Sequence, residues 1–142
     1  MTDVQLESRV AVVTGASRGI GLAIATELAS QGLNVMMSGR STDLLSSVAQ
    51  QIATTVRSEK QSGRIESYTA DVRDPVQMED LMAKTVDTFG RLDILFNNAG
   101  VGHFQELAEL SVEDWNKVIE TNLSGVFFAC RAAIPLLKVS RG

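Results

Sequence analysis

Short apolar runs alternate with longer segments of helical period along this chain, and the alternation recurs four times. Such a pattern belongs to βαβ units that build a parallel sheet. A first strand is predicted at about Arg9 to Thr14. The helix after it, from about Gly19 to Gln31, places Ile20, Ala23, Ile24 and Leu28 on one face before Gly32 ends it. Leu33 to Met37 reads as a second strand. Ser41, Thr42 and Asp43 supply capping side chains for a helix to roughly Ser58, with Leu44, Leu45, Val48, Ile52 and Val56 turned inward.

A polar surface loop, Glu59 to Gly63, leads into a third strand near Ile65 to Ala70. Asp74 followed by Pro75 is an N-cap with proline at the first helical position, and that helix runs to Phe89, where Gly90 closes it. Leu92 to Phe96 is the fourth strand. Ser111 with Asp114 resembles a capping box in which aspartate replaces the usual glutamate. It opens a long helix through Trp115, Val118, Ile119, Leu123, Val126 and Phe127 toward Lys138, which Pro135 is expected to bend or end. The strands read as continuous apolar runs, as strands covered by helices on both faces do. The expectation is an α/β fold with a doubly wound parallel sheet of Rossmann type, incomplete at about four strands.

Composition narrows the setting without changing the fold. At 142 residues with 44% apolar and 21% charged content, the chain is one globular domain. No run approaches the roughly 20 uninterrupted apolar residues of a membrane span. A net charge of -4 argues against nucleic acid, which needs a positive surface to replace counterions. The N-terminus shows no secretory pattern, and the single cysteine, Cys130, forms no internal disulfide. A soluble chain in the reducing cytoplasm is therefore expected, and no metal-ligand spacing is present.

Chemistry enters with Thr14-Gly15-Ala16-Ser17-Arg18-Gly19-Ile20-Gly21, between the first strand and its helix. Glycines there let the backbone turn sharply and approach a pyrophosphate, while the helix N-terminus offers unpaired N–H groups and a positive dipole end. Gly15, Ser17, Arg18, Gly19, Ile20 and Gly21 are thus the candidate cofactor-binding residues of this loop. A glycine-rich turn without a ligand is the alternative. At the end of the second strand, where a carboxylate would bond a ribose hydroxyl, stands Ser38-Gly39-Arg40. An arginine fork suits a 2'-phosphate, and Arg18 adds a second cation, which points to NADP(H) over NAD; the competing reading is an Arg40 that only faces solvent.

Together with the glycine loop, Asp71-Val72 after the third strand, Asn97-Asn98-Ala99-Gly100 after the fourth and Asn122 in the long helix resemble the short-chain dehydrogenase/reductase family. The likeness covers about Ser8 to Leu137 and is nearest to 3-oxoacyl-carrier-protein reductases. It implies that Asp71 holds the adenine amino group, that Val72 packs by the ring, and that Asn98, Ala99 and Gly100 line the ribose. Asn122 would bend its helix and hold a water in the proton relay. Read without the likeness, the alternatives are an Asp71 that only forms a strand-end turn and an Asn122 that is a satisfied buried polar residue.

The family moves a hydride between nicotinamide and a carbonyl or alcohol carbon, with a serine and a Tyr-x-x-x-Lys pair handling the proton. The one tyrosine, Tyr68, is followed four residues later by Val72, so it does not match. Lys138 and Ser140 read as surface residues, His103 as a solvated loop residue and Cys130 as packing. The expectation is an NADP-binding domain over residues 1–142 that stops before the family's catalytic residues and is inactive alone. Association through the long helix or a missing C-terminal half would complete it. A non-catalytic nucleotide-binding module and a self-associating structural fragment are the alternatives.

Overall fold

A computed structural model describes residues 8–56 and 63–142. Four parallel strands, β1 (Val10–Thr14), β2 (Asn34–Gly39), β3 (Ile65–Thr69) and β4 (Ile94–Phe96), lie in the order β3-β2-β1-β4. Helices α1 (Gly19–Ser30), α2 (Thr42–Val56) and α3 (Pro75–Phe89) connect them, and α4 (Val112–Ile119), a π-helical turn (Glu120–Ser124) and α5 (Gly125–Ser140) follow. Val12 of β1 is in register with Met36 of β2 and Leu95 of β4.

Successive side chains of a strand point to opposite faces, so the sheet divides one core into two. Ala11, Val13, Val35 and Met37 pack with Ala25 and Ala29 of α1 and Leu45 and Ile52 of α2. Val12 and Met36 pack on the other face with Met78 and Leu81 of α3 and Ala129 and Ala133 of α5. A side chain such as Met78 or Leu33, taken fully out of water, contributes about 1.5–3 kcal/mol. Helices on both faces of a parallel sheet make this the expected doubly wound α/β fold.

Local chemistry sets the element ends. Asp74 Oδ1 accepts from the N–H groups of Val76 (2.9 Å) and Gln77 (3.3 Å), and Gly90 closes α3 at a φ of 83°. At α4 only half of the capping box forms: Ser111 Oγ accepts from Asp114 N–H at 3.0 Å, while the Ser111 hydroxyl donates to the Asp114 carboxylate. The expected loop at Glu59 to Gly63 lies, apart from Gly63, outside the described residues.

Several expectations are corrected. The buried stripe of α1 is Gly21, Ala25 and Ala29, because close approach to the sheet selects small residues; Ile20 is 74% exposed instead. Leu44 is exposed too, and Ala49 takes the inward place. β3 is an edge strand, and its Glu66 and Thr69 face solvent, so it is not a continuous buried run. β4 starts only at Ile94, since the Asp93 carboxylate takes the Val10 N–H. Of the two expectations for Pro135, ending the helix is corrected: α5 runs on through it to Ser140, with Ala129 and Ala133 packed on the preceding turns. Ser140 is no free surface residue: its hydroxyl donates to Leu92 O and ties α5 to the segment just before β4.

By length and composition, the continuous helical stretch Val112–Ser140 is long and apolar enough to cross a membrane. Arg131 and Lys138 interrupt its apolar run. Gly125, Ala129 and Ala133 are buried, while Trp115, Leu123 and Phe127 are more than half exposed.

Candidate functional site

In open parallel sheets ligands bind beyond the carboxyl ends of the strands. A cleft of about 530 Å³ lies there, and its walls come from every expected segment. Gly15, Ser17, Arg18 and Ile20 line it from the glycine loop, Arg40 from the end of β2, Asp71 and Val72 from the end of β3, and Asn98, Ala99 and Gly100 from the end of β4. Gly19, Gly21 and Asn122 are not in its walls; Gly21 and Asn122 instead contact residues that are.

Gly15 and Gly21 permit a close crossing of chain segments. A Cβ on Gly15, whose φ is +66°, would lie 2.8 Å from Ala99 Cα; one on Gly21 would lie 2.4 Å from Asn98 Nδ2 and 2.5 Å from Gly15 O. Gly19 differs: its φ is +57°, and a Cβ there would meet nothing within 4 Å. Arg18, at the N-cap of α1, gives the first turn no side-chain acceptor. Open space beside a glycine and an uncapped helix start are what a bound diphosphate requires, so the loop fits one.

Asn98 holds that loop in place. Its Nδ2 donates to Thr14 O at 3.1 Å and to Gly15 O at 3.2 Å. Thr14 answers from the other side: its Oγ1 accepts from the N–H groups of Asn98 (3.2 Å) and Ala99 (3.1 Å) and donates to Phe96 O. The two strand ends are thereby cross-tied at the point where the cleft begins.

The cleft also carries charge. Arg18 and Arg40 both line it, and neither makes an ion pair among the described residues. Asp71 lines the same cleft but is held by Arg73, whose Nη2 sits 2.6 Å from Oδ2. Its carboxyl is kept below the usual carboxylate range mainly by hydrogen bonds from the Arg73 side chain.

Asn122 sits in the π turn, and it is exposed, not buried. Its Oδ1 accepts from Val101 N–H at 2.9 Å and its Nδ2 donates to Val101 O at 2.8 Å. One residue thus grips both backbone groups of a cleft-lining position. π turns recur at functional sites because the extra residue reorients side chains, here toward the loop after β4. Lining residues not picked as site residues from the sequence are Gly39, Ser41, Leu44, Ala70, Val101 and Thr121; Val101 directly follows the Asn97 to Gly100 segment, which was the available signal.

Other candidates fall away from the cleft. His103 Nε2 lies 3.7 Å from Asp114 Oδ1 at the start of α4, Cys130 Sγ accepts from Asn97 Nδ2, and Tyr68 is on edge strand β3. Among the described residues no cluster able to hold a metal ion is present.

Comparison with known proteins agrees with this geometry. The chain is 39% identical over 132 residues to D-beta-hydroxybutyrate dehydrogenase of Rhizobium meliloti, covering 92% of this chain and 49% of that protein. It is 36% identical over 131 residues to an uncharacterized oxidoreductase of Staphylococcus haemolyticus, covering 92% of this chain and 53% of that one. A short-chain dehydrogenase/reductase variant from Serratia marcescens superposes with a TM-score of 0.84 at 34% identity, over 94% of this chain and 52% of that one. A short chain dehydrogenase/reductase from Burkholderia phymatum in complex with NAD gives 0.85 at 30% identity, over 97% and 47%. The chain spans about half the length of the curated relatives it matches. Residues 9–142 match the sequence model of the short chain dehydrogenase family, and with its glycine loop, its Asn98 tie and its strand order this chain belongs to that family.

Proposed function

We propose that this chain forms the NADP(H)-binding domain of an oxidoreductase acting on a small carbonyl or alcohol compound, as part of a larger, homo-oligomeric enzyme. In this reading Gly15, Ser17, Gly19, Ile20 and Gly21 hold the pyrophosphate, and Arg18 and Arg40 the 2'-phosphate. Asp71 and Val72 take the adenine, and Asn98, Ala99 and Gly100 line the ribose. The bound cofactor supplies or accepts the hydride. Asn122 fixes the cleft wall at Val101, and its second amide N–H and second lone pair remain for a relay water. No residue here matches the family's proton-transferring tyrosine, so these 142 residues alone are expected to bind cofactor without turning over a carbonyl.

The observation that carries the reading is the pair of arginines, without ion-pair partners among the described residues, in one cleft beside a glycine cradle. The Burkholderia phymatum neighbour was solved with NAD, so the preference for NADP(H) rests on Arg18 and Arg40 of this chain. Arg40→Asp tests it by fluorescence titration. NADPH should weaken by about tenfold or more, through loss of a charge-assisted contact and added repulsion, while NADH changes little. Equal losses for the two cofactors would remove the 2'-phosphate assignment.

A further inference from the structure

Resting on the NADP(H) reading above, we propose that Arg73, which does not line the cleft, is a specificity-determining residue: it neutralises Asp71 and so leaves Arg40 free for a 2'-phosphate. Asp71 and Arg40 line the same cleft. An unpaired carboxylate there would draw the Arg40 guanidinium to itself and repel a phosphate dianion. The structure removes both problems at once. Arg73 Nε lies 3.1 Å from each Asp71 oxygen, Nη2 lies 2.6 Å from Oδ2, and the Arg73 backbone N–H donates to Oδ1 at 3.0 Å. One residue, two positions along, thus supplies four donor contacts to a single carboxylate.

The aspartate is also fixed from its backbone. Gln77 Oε1 accepts from Asp71 N–H at 2.9 Å, and Gln77 Nε2 is itself held by the N-cap carboxylate of Asp74 at 2.9 Å. Swinging the Asp71 carboxylate toward Arg40 would break its contacts with Arg73, while its backbone stays anchored by Gln77. The charges acting on Asp71 rank Arg73 ahead of Arg40, consistent with the pairing seen. The Arg73 guanidinium is in turn held charged chiefly by its hydrogen bond to Asp71, with the Glu120 carboxylate of the π turn adding to the same direction.

NADH and NADPH differ only by the 2'-phosphate, so the ratio of their dissociation constants isolates this effect from any general loosening of the turn. Fluorescence titration of the folded protein should show Arg73→Gln weakening NADPH about tenfold more than NADH. The double variant D71N/R73Q should restore the ratio to within about threefold of the unaltered protein. Arg73→Lys, which keeps the charge without the fork, should fall between. If Arg73→Gln does not fold, Asp71→Asn alone carries the test, since a carboxylate already cancelled by Arg73 is removed without lowering the ratio. Equal weakening of both cofactors by Arg73→Gln, no restoration in the double variant, or a ratio that falls in Asp71→Asn overturns the inference. If Arg40→Ala leaves the ratio unchanged, the NADP(H) reading itself fails; if Arg40→Ala lowers the ratio and Arg73→Gln does not, only the role of Arg73 is lost.

Discussion

The β4 segment is fastened to β1 at both ends by a polar side chain, yet the two fastenings differ in charge and in burial. At the end remote from the cleft, Asp93 is 4% exposed; its carboxylate accepts from Val10 N–H at 2.9 Å and from Arg91 Nε at 2.8 Å. Arg91 also reaches Ser140 O, which brings the end of α5 into the same knot. At the cleft end, Asn98 is half-buried and neutral, and it donates to Thr14 O and Gly15 O. A carboxylate at that second place could only accept, so it would face two carbonyls unpaired and set a negative charge beside a phosphate cradle. Charge is spent where nothing has to bind, and a neutral amide serves where an anion has to approach.

The comparison breaks if the two ties prove interchangeable. Asp93→Ala should give the largest effect on stability. It strands a buried Val10 N–H, worth about 1–3 kcal/mol on its own, and leaves Arg91 without its carboxylate. Denaturant unfolding should show a midpoint well below that of the unaltered protein at an unchanged slope. NADPH affinity of the folded fraction should stay within about twofold. A large loss of affinity would mean that the far knot shapes the cleft.

Asn98→Ala should do the reverse. Two partly buried carbonyls lose their donor, which costs about 1 kcal/mol of stability, less than the Asp93 change. The glycine loop loses its tether, and the NADPH dissociation constant should rise about tenfold by titration. An Asn98→Ala protein with unchanged affinity would show that Gly15 and Gly21 hold the loop by packing alone.

The contrast between the two ties also shows what a sequence displays. Asn98 was legible because it stands in a segment, Asn97 to Gly100, that follows a strand and matches a family pattern. The glycine loop, Arg40 and Asp71 were legible for the same reason: strand ends in a parallel sheet converge, so residues just past each strand share one cleft. Asp93 was hidden inside what read as a strand, since its role depends on Val10, 83 positions away. Arg73 was hidden because an i to i+2 contact exists only in one turn conformation. The π turn left no trace, because one extra residue per turn changes hydrogen bonding without changing composition. On α1, the apolar period picked Ile20 and Ala23, while contact distance to the sheet chose Gly21 and Ala25. Periodicity locates a helix more surely than it locates the face that packs closest.

Acid should separate the cleft end by a smaller effect. Asp71 is held below the ordinary carboxylate range by Arg73, and Asp74 beside it by Gln77. A carboxyl whose folded value is depressed adds stability that is present above its unfolded value of about 3.9 and is lost as pH falls through the folded value. Stability from this pair should therefore be flat from about pH 7 to 5 and decline below about pH 4. Both partners are part-exposed, with Asp71 23% and Arg73 37% accessible at the side chain, so solvent screening keeps the contribution small. Urea midpoints measured down the pH scale should fall less steeply below about pH 4 in Asp71→Asn than in the unaltered protein. Matching slopes would mean that Asp71 gains nothing from Arg73 in the folded state, and the carboxylate at the cleft end would then be free to contest Arg40.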